Sequence, residues 1–401
     1  MGFRRGLFAL VAASAMLAGC SSTTVEGTAR PRVLPVDVAT LKTGAYLPQP
    51  SAYEPDILSQ DDLRAIEARR MLGYLAHPSD IDPEISVAGD LRFFTAADKP
   101  FSLGILPEQF RPATVDNNMI AGVYVARINE SLRSRKKLIV SVLRFPTDAA
   151  AAKSAEDFAR IATADPAVHT LAIPGHPEVR ASSRDDVTGL AFHNRGPYVV
   201  LINAGIPTPD ATALTAVLGK TLDRQRTAME GLTPIPLDDL LDIPADPESI
   251  MRRALPRAPD YSDPFDDDTD FGAYSPAAEL QFERDPVRVA EAFRTSGVDL
   301  VGRRGGVVYR TRDLPAAFAL QSVLMSAGRN DEVLDPPPGL PDARCLRLFD
   351  DDALRGFDAL CTVVHDRYVG LVVSRTPAAA RIDLNLYQRA AAQYAILANS
   401  G

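Results

Sequence analysis

The sequence predicts an α+β fold of two tandem, internally duplicated domains, each an antiparallel sheet with helices on one face. Three observations lead there. Strand-like runs sit in pairs around short polar turns, helical periodicities follow the strand pairs, and a set of landmarks returns in the same order in the second half of the chain.

The chain opens with Arg4 and Arg5 ahead of the apolar run from Gly6 to Met16. That run suits a secretory signal and is too short to span a bilayer, which takes ~20 apolar residues. Leu17-Ala18-Gly19-Cys20 then resembles the lipobox of bacterial lipoproteins. The resemblance implies that residues 1–19 are a signal peptide and that Cys20 becomes the lipidated first residue. Two or three acyl chains hold a protein stably where one does not, at ~0.8 kcal/mol per buried CH₂. The expected location is the extracytoplasmic face of the cell membrane. Residues 20–35, small, polar and proline-punctuated, read as a flexible tether.

Composition narrows the partners. The formal charge of -9 becomes -11 once Arg4 and Arg5 leave with the signal, so nucleic acid and anionic headgroups gain nothing from non-specific electrostatics. The membrane is expected as a partner only through the acyl chains on Cys20. Hydrophobic content of 46% is ordinary for globular cores.

Residues 36–231 read as the N-terminal α+β domain. Val36 to Tyr46 has the composition of extended chain, and Ser59 can cap a helix from Gln60 that Gly73 stops. Gly122 to Asn129 and Lys137 to Phe145 are strand-like around the turn Glu130 to Lys136, and Thr147 and Asp148 cap an Ala-rich helix carrying Phe158 and Ile161 inward. Pro174-Gly175-His176-Pro177 follows, then two strands meeting near Asn194 to Pro197. Thr208-Pro209 signals a helix with Leu214, Leu218 and Leu222 on one face.

The second half repeats this order. Gly297 to Gly302 and Val307 to Arg312 flank Arg303 to Gly306, Asp313 caps a helix through Phe318 and Leu324, and Pro338-Gly339-Leu340-Pro341 matches the earlier Pro-Gly-x-Pro. Arg367, Tyr368 and Val369 match Arg195, Tyr198 and Val199; Thr376-Pro377 matches Thr208-Pro209. The offsets are 164, 170 to 172 and 168 residues, the small drift that indels in turns produce. Between the copies, nine prolines from Gly231 through Pro286 and the acidic run Asp263 to Asp270 read as an interdomain linker over residues 232–275. Residues 276–401 read as the C-terminal domain, with Glu279 to Glu283 as its first strand and Asp285-Pro286 opening a helix that Gly297 ends.

Taken together, the lipobox, the Asp37 to Tyr46 leader, Glu67-Ala68-Arg69-Arg70, the helix after Arg144-Phe145, and Cys345 and Cys361 before Arg367-Tyr368-Val369 resemble an uncharacterised family of actinobacterial lipoproteins found in mycobacteria and nocardiae. The resemblance implies an envelope location. It brings no catalytic residue, because the family has no assigned activity.

Motifs of chemistry are imitated more than present. Gly219-Lys220-Thr221 ends like a phosphate-binding loop, yet Leu214 stands where its first glycine belongs and the triplet lies in a helix. Ser134-Arg135-Lys136-Lys137 and Lys42-Thr43-Gly44 fit two penicillin-recognising motifs in reversed order, without the intervening S-D-N. His77, His169, His176, His193 and His365 lack ligand spacing, and His193 and His365 read as equivalent strand-end positions. Asp266, Asp268 and Asp270 alternate like the start of a calcium loop, but Gly272 comes one place late and Ala277 occupies the twelfth position, so a solvated linker is the better reading. No catalytic, metal or cofactor-binding residue is therefore assigned, and no cofactor is expected.

Cys345 and Cys361 lie on runs either side of the turn Asp350 to Gly356, whose centre is midway between them. A hairpin sets them opposite one another, which predicts a disulfide in an oxidising compartment; two buried free thiols are the alternative. In the first copy Ala181 and Gly189 stand near the matching places. The function expected is a non-catalytic envelope protein that binds a partner protein, lipid or small ligand; the alternative is a hydrolase-like envelope enzyme whose site assembles only in three dimensions.

Overall fold

The computed structural model describes residues 34–257, 270–376 and 383–401. The first repeat runs α1 (Gln60–Leu72), α2 (Pro78–Ile81), β1 (Val87–Phe94), α3 (Lys99–Ser102), α4 (Arg111–Val115), β2 (Ala121–Ile128), β3 (Lys137–Arg144), α5 (Asp148–Ala162), β4 (His169–Leu171), β5 (Arg180–Ser183), β6 (Thr188–Arg195), β7 (Tyr198–Gly205) and α6 (Ala211–Ala228). The second runs β8 (Gly272–Tyr274), α7 (Pro276–Leu280), α8 (Pro286–Ser296), β9 (Leu300–Arg303), β10 (Val307–Arg310), α9 (Leu314–Leu324), β11 (Glu332–Leu334), β12 (Arg344–Arg347), β13 (Ala359–His365), β14 (Tyr368–Ser374) and α10 (Leu384–Ala398).

Each repeat forms one seven-stranded sheet with antiparallel neighbours. The orders are β1-β2-β3-β7-β6-β5-β4 and β8-β9-β10-β14-β13-β12-β11, the same topology twice. The duplication is thus present in the strand order, with α5 matching α9 and α6 matching α10. Register aligns the copies residue by residue: Arg144 faces Tyr198 in the first sheet as Arg310 faces Tyr368 in the second.

The helices cover both faces of each sheet, which corrects the expectation of one face. Along β7, Val199 and Leu201 pack with Ala155 and Phe158 of α5, whereas Tyr198, Val200 and Ile202 pack with Leu214 and Leu218 of α6. Neighbouring residues of a strand point to opposite faces, so α5 and α6 lie on opposite sides. The central strands are continuous apolar runs, the composition of a sheet covered twice.

Local signals set many helix ends. Thr147 Oγ1 accepts from Ala150 N at 3.1 Å, Asp285 Oδ1 from Arg288 N at 3.2 Å and Asp313 Oδ1 from Ala316 N at 2.8 Å. Gly297 closes α8 at φ 62°, a conformation that suits glycine. Thr208-Pro209 is not the cap of α6, since Asp210 accepts from Ala213 N at 2.9 Å. Asp383 likewise caps α10 by accepting from Asn385 N, and Pro377 lies outside the described residues. Glu279 to Glu283 is no strand: α7, capped by Ser275, occupies Pro276 to Leu280.

Two segments belong elsewhere than their sequence position suggests. The leader packs on the second repeat, where Leu41 and Tyr46 join Cys345, Cys361 and Leu386, and Arg389 Nε donates to Tyr46 Oη at 2.8 Å. Part of the stretch read as linker is core, with Leu240, Ile250, Met251 and Leu255 all buried. Residues 250–255 lie against β9 and α10 much as α1 lies against β2.

A pair of glutamines makes that equivalence explicit. Gln225 of α6 accepts from Ala76 N at 2.9 Å and donates to Tyr74 O at 2.8 Å. Gln393 of α10 accepts from Leu255 N at 2.8 Å and donates to Arg253 O at 2.8 Å. Both are buried, at 1% and 0% exposure, and each amide satisfies its donor and acceptor on one stretch of entering chain.

The repeats share a core inside one compact unit, Val33–Gly401. The first contributes its α1/α6 face and the second its α8/α9 face, so they meet through non-equivalent surfaces. Arg127 joins them, donating from Nη2 to Gln281 O at 2.8 Å and Glu283 O at 3.1 Å.

Cys345 and Cys361 are directly opposed on β12 and β13, at disulfide distance with Cα atoms 4.1 Å apart. In the first repeat the register-equivalent residues are Ala181 and Ala191, two places past the expected Gly189. Replacing both cysteines by serine should lower the unfolding free energy by about 3 kcal/mol, the chain-entropy value for a loop of about 15 residues. Denaturant titration measures this, and alkylation before and after reduction checks the bridge itself.

Candidate functional site

A well-formed cleft lies where α1, the chain after α6 and the β8–α7 corner meet. Its position starts from the Ser59 cap: Asp62 Oδ2 accepts from Ser59 Oγ at 2.8 Å, from Leu58 N at 3.0 Å and from Ser59 N at 2.8 Å, and these bonds hold its carboxyl below the usual range. So fixed, α1 presents Ile66, Arg69, Arg70 and Gly73 to a cavity of about 840 Å³. Leu240 to Ala245 form the second wall, and Gly272 to Ser275 with Ala277 and Ala278 the third. The lining is mainly aliphatic, and the volume falls in the ~300–1,000 Å³ range of small-molecule sites.

Residues 51–58 cross this region as an extended strap. Ala52, Glu54, Asp56 and Leu58 are exposed, whereas Tyr53, Pro55 and Ile57 are half-buried and line the cleft. Tyr53 Oη donates to Phe271 O at 3.3 Å, and Tyr53 packs against both the shared core and the second repeat's own core. A second, more polar cavity of about 540 Å³ shares the strap as a wall and reaches Asp62, Arg69, Arg257, Phe271 and Arg304.

The charged groups beneath the cleft are committed to structure. Glu67, fully buried, pairs with Arg70 at 2.8 Å and with Arg144 at 2.8 Å, and Arg70 Nη2 also donates to Thr233 O at 2.9 Å. Burial works against the Arg70 charge, but Glu67 more than offsets it and raises its pKa. The second repeat places an ion pair at the matching point, Arg310 with Glu248. Ser275, the cleft's hydroxyl on α7, accepts from Ala278 N as a helix cap.

None of the five histidines lines the cleft. His77 is buried and caps α2, accepting from Ser79 N at 3.1 Å, and burial with Arg127 nearby pushes its pKa well down. His193 and His365 are not equivalent, because Arg195 faces Tyr198 where His365 faces Tyr368. Lys220 and Thr221 lie within α6, and Thr221 Oγ1 donates to Val217 O. Ser134 sits in the β2–β3 hairpin and Lys42 in the leader on the second repeat, so the two penicillin-type motifs belong to different parts of the fold. Among the described residues no group of three or more His, Cys, Asp or Glu could hold a metal, and Asp266 and Asp268, like Cys20, lie outside those residues.

One acidic constellation was not foreseen. Glu279 and Glu283, one helical turn apart, meet Arg303 and Tyr309: Arg303 Nη1 lies 2.5 Å from Glu279 Oε1, and Tyr309 Oη donates to Glu283 Oε1 at 2.7 Å. Burial, then the neighbouring Glu279 charge, pushes Glu283 up to about 7. Reading the segment as a strand hid this, because alternation would have put 279, 281 and 283 on one face without the turn that brings Tyr309 in.

Two models of one family, the domain of unknown function DUF7373, match the chain: its N-terminal part at residues 54–245 and its C-terminal part at residues 250–400. The chain belongs to that family, and the boundary between the two models falls in the stretch that leads into the second repeat. No curated protein matches. Among solved structures, the extracellular domain of PknH from Mycobacterium tuberculosis matches at 16% identity and a TM-score of 0.27, over 44% of this chain and 100% of that one.

The raised Glu283 pKa makes a signed prediction. An unfolded glutamate titrates near ~4.3, so the fold favours the neutral acid. This contribution is complete below the unfolded value and is lost as pH rises through about 7. Relative to wild type, Glu283→Gln should therefore gain on the order of 3 kcal/mol between pH 4 and pH 8. Urea midpoints at the two pH values read it directly.

Proposed function

We propose that this protein is a lipid-anchored, extracytoplasmic envelope protein, held to the cell membrane through acyl chains on Cys20, whose role is to bind a small ligand without chemical conversion. The observation that carries the binding half is the cleft of about 840 Å³, walled chiefly by aliphatic side chains, with the Ser275 hydroxyl used as a helix cap and the Arg70 charge paired with Glu67 beneath it. An enzyme of acyl or glycosyl transfer would need a nucleophile or acid beside a base, and no histidine lines the cleft. The anchoring half rests on the ordered signal at residues 4–20 and on the proline-punctuated tether after it.

Each half has its own test. Cys20→Ser should abolish incorporation of labelled palmitate and move the protein from the membrane to the soluble fraction; labelling that persists would sink the anchor. For the cleft, Ala277→Trp places a bulky ring at an exposed lip position, where the fold tolerates it. Native mass spectrometry of protein isolated from envelopes should show a bound small molecule in wild type and at least a tenfold lower occupancy in the variant. Equal occupancy would place binding elsewhere.

A further inference from the structure

Resting on the cleft as a ligand site, the geometry points to its ligand class: a single-chain amphiphile with a carboxylate head, its tail in the apolar chamber and its head on Arg304 beyond the strap. The two cavities share Tyr53, Glu54, Pro55 and Ile57 as a common wall, together with Ile66 and Arg69 of α1. An elongated molecule passing this wall would meet aliphatic surface at one end and guanidinium at the other. A fatty-acid-like ligand has that polarity, whereas a sugar or a peptide does not.

Arg304 is the residue that decides the head. It sits in the β9–β10 turn, where its N–H donates to Gly306 O at 2.8 Å, and it is half-buried. Its Nη1 makes both side-chain bonds, to Ser51 Oγ at 3.1 Å and to Ser51 O at 3.4 Å, while the guanidinium lies 5.1 Å from the Tyr53 ring centroid. Among the described residues, Nε and Nη2 have no acceptor and the guanidinium has no carboxylate within ion-pair distance. The Nε–Nη2 edge is one that engages a carboxylate in two parallel bonds. Burial lowers the Arg304 pKa, as expected of a cation taken from water without a full counter-charge.

The acids around it do not fill that role. Asp62 is spent on the α1 cap, and Glu54 and Asp56, exposed residues of the strap that also line this cavity, make no ion pair with Arg304 among the described residues. Arg69 and Arg257 line the same cavity, each with interactions of its own, opposite the carboxylates of Glu54, Asp56 and Asp62. The head subsite is thus the open edge of one guanidinium, Arg304, beside a chamber whose body is apolar, and it is this edge that would favour a carboxylate head over a neutral one.

Isothermal titration on the compact unit from Val33 onward, with oleate, oleyl alcohol and butyrate as probes, tests this. Oleate should bind at least tenfold more tightly than oleyl alcohol, and butyrate should bind far more weakly than either. Arg304→Gln should remove the oleate advantage and leave the alcohol unchanged, Arg304→Lys should restore part of it, and Ala277→Trp should weaken both long-chain probes. If Arg304→Gln binds oleate like wild type, or if oleate and the alcohol bind equally to wild type, the carboxylate assignment fails while the cleft stands. If Ala277→Trp leaves both long-chain probes unaffected, or if neither binds wild type, the cleft reading itself fails with it. Far-ultraviolet circular dichroism of each variant confirms that a lost signal comes from the site and not from unfolding.

Discussion

Both repeats depend on one polar constraint inside an apolar core. In each, the last helix carries a buried glutamine whose amide is used twice on the segment entering the repeat: Gln225 on Tyr74 and Ala76, Gln393 on Arg253 and Leu255. A buried amide left unpaired costs ~1–3 kcal/mol for each group, so the entering chain has one position in which nothing is lost. That position fixes α1 over the first sheet and residues 250–255 over the second. Everything at the seam is referred to those two placements.

The seam follows from how the copies are stacked. Equivalent faces do not meet; the α1/α6 face of the first repeat meets the α8/α9 face of the second, and the same fold therefore experiences two environments. On the first, α1 stays partly open and becomes a wall of the cleft. On the second, the leader covers the α10 face with Leu41 and Tyr46. Duplication supplied the architecture, and asymmetric packing supplied the site. The disulfide belongs to this asymmetry too, since Ala181 and Ala191 fill the matching place in the first repeat.

The ionic groups divide by location. Glu67 pairs with Arg70 and Arg144, and Glu279 with Arg303, inside the protein, which makes them fixtures of the fold. Breaking such a pair from one side leaves an uncompensated charge and costs ~3–5 kcal/mol, so these residues are constrained without being catalytic. Arg304 differs because it faces a cavity and, among the described residues, its side chain donates to Ser51 Oγ and Ser51 O alone. That contrast between spent and available charge is why a binding reading fits the cleft better than a chemical one.

Sequence alone determined the elements whose signals are local. Ser59, Thr147, Asp285 and Asp313 cap helices because a side-chain oxygen within a few residues meets an exposed amide, and Cys345 opposes Cys361 because a hairpin's register follows from its turn. The duplicated strand order was legible from recurring landmarks for the same reason. What the tertiary structure decided depends on contacts between residues far apart in the chain. Leu41 and Tyr46 lie nearly 350 residues from Arg389 in sequence and touch it or its neighbours in space, and Leu240, Ile250, Met251 and Leu255 are core although the prolines around them read as linker. The cleft exists only where three such distant segments meet. Burial and hydrogen bonding select their arrangement after the local elements form, and no short-range pattern of residues encodes which face will be covered.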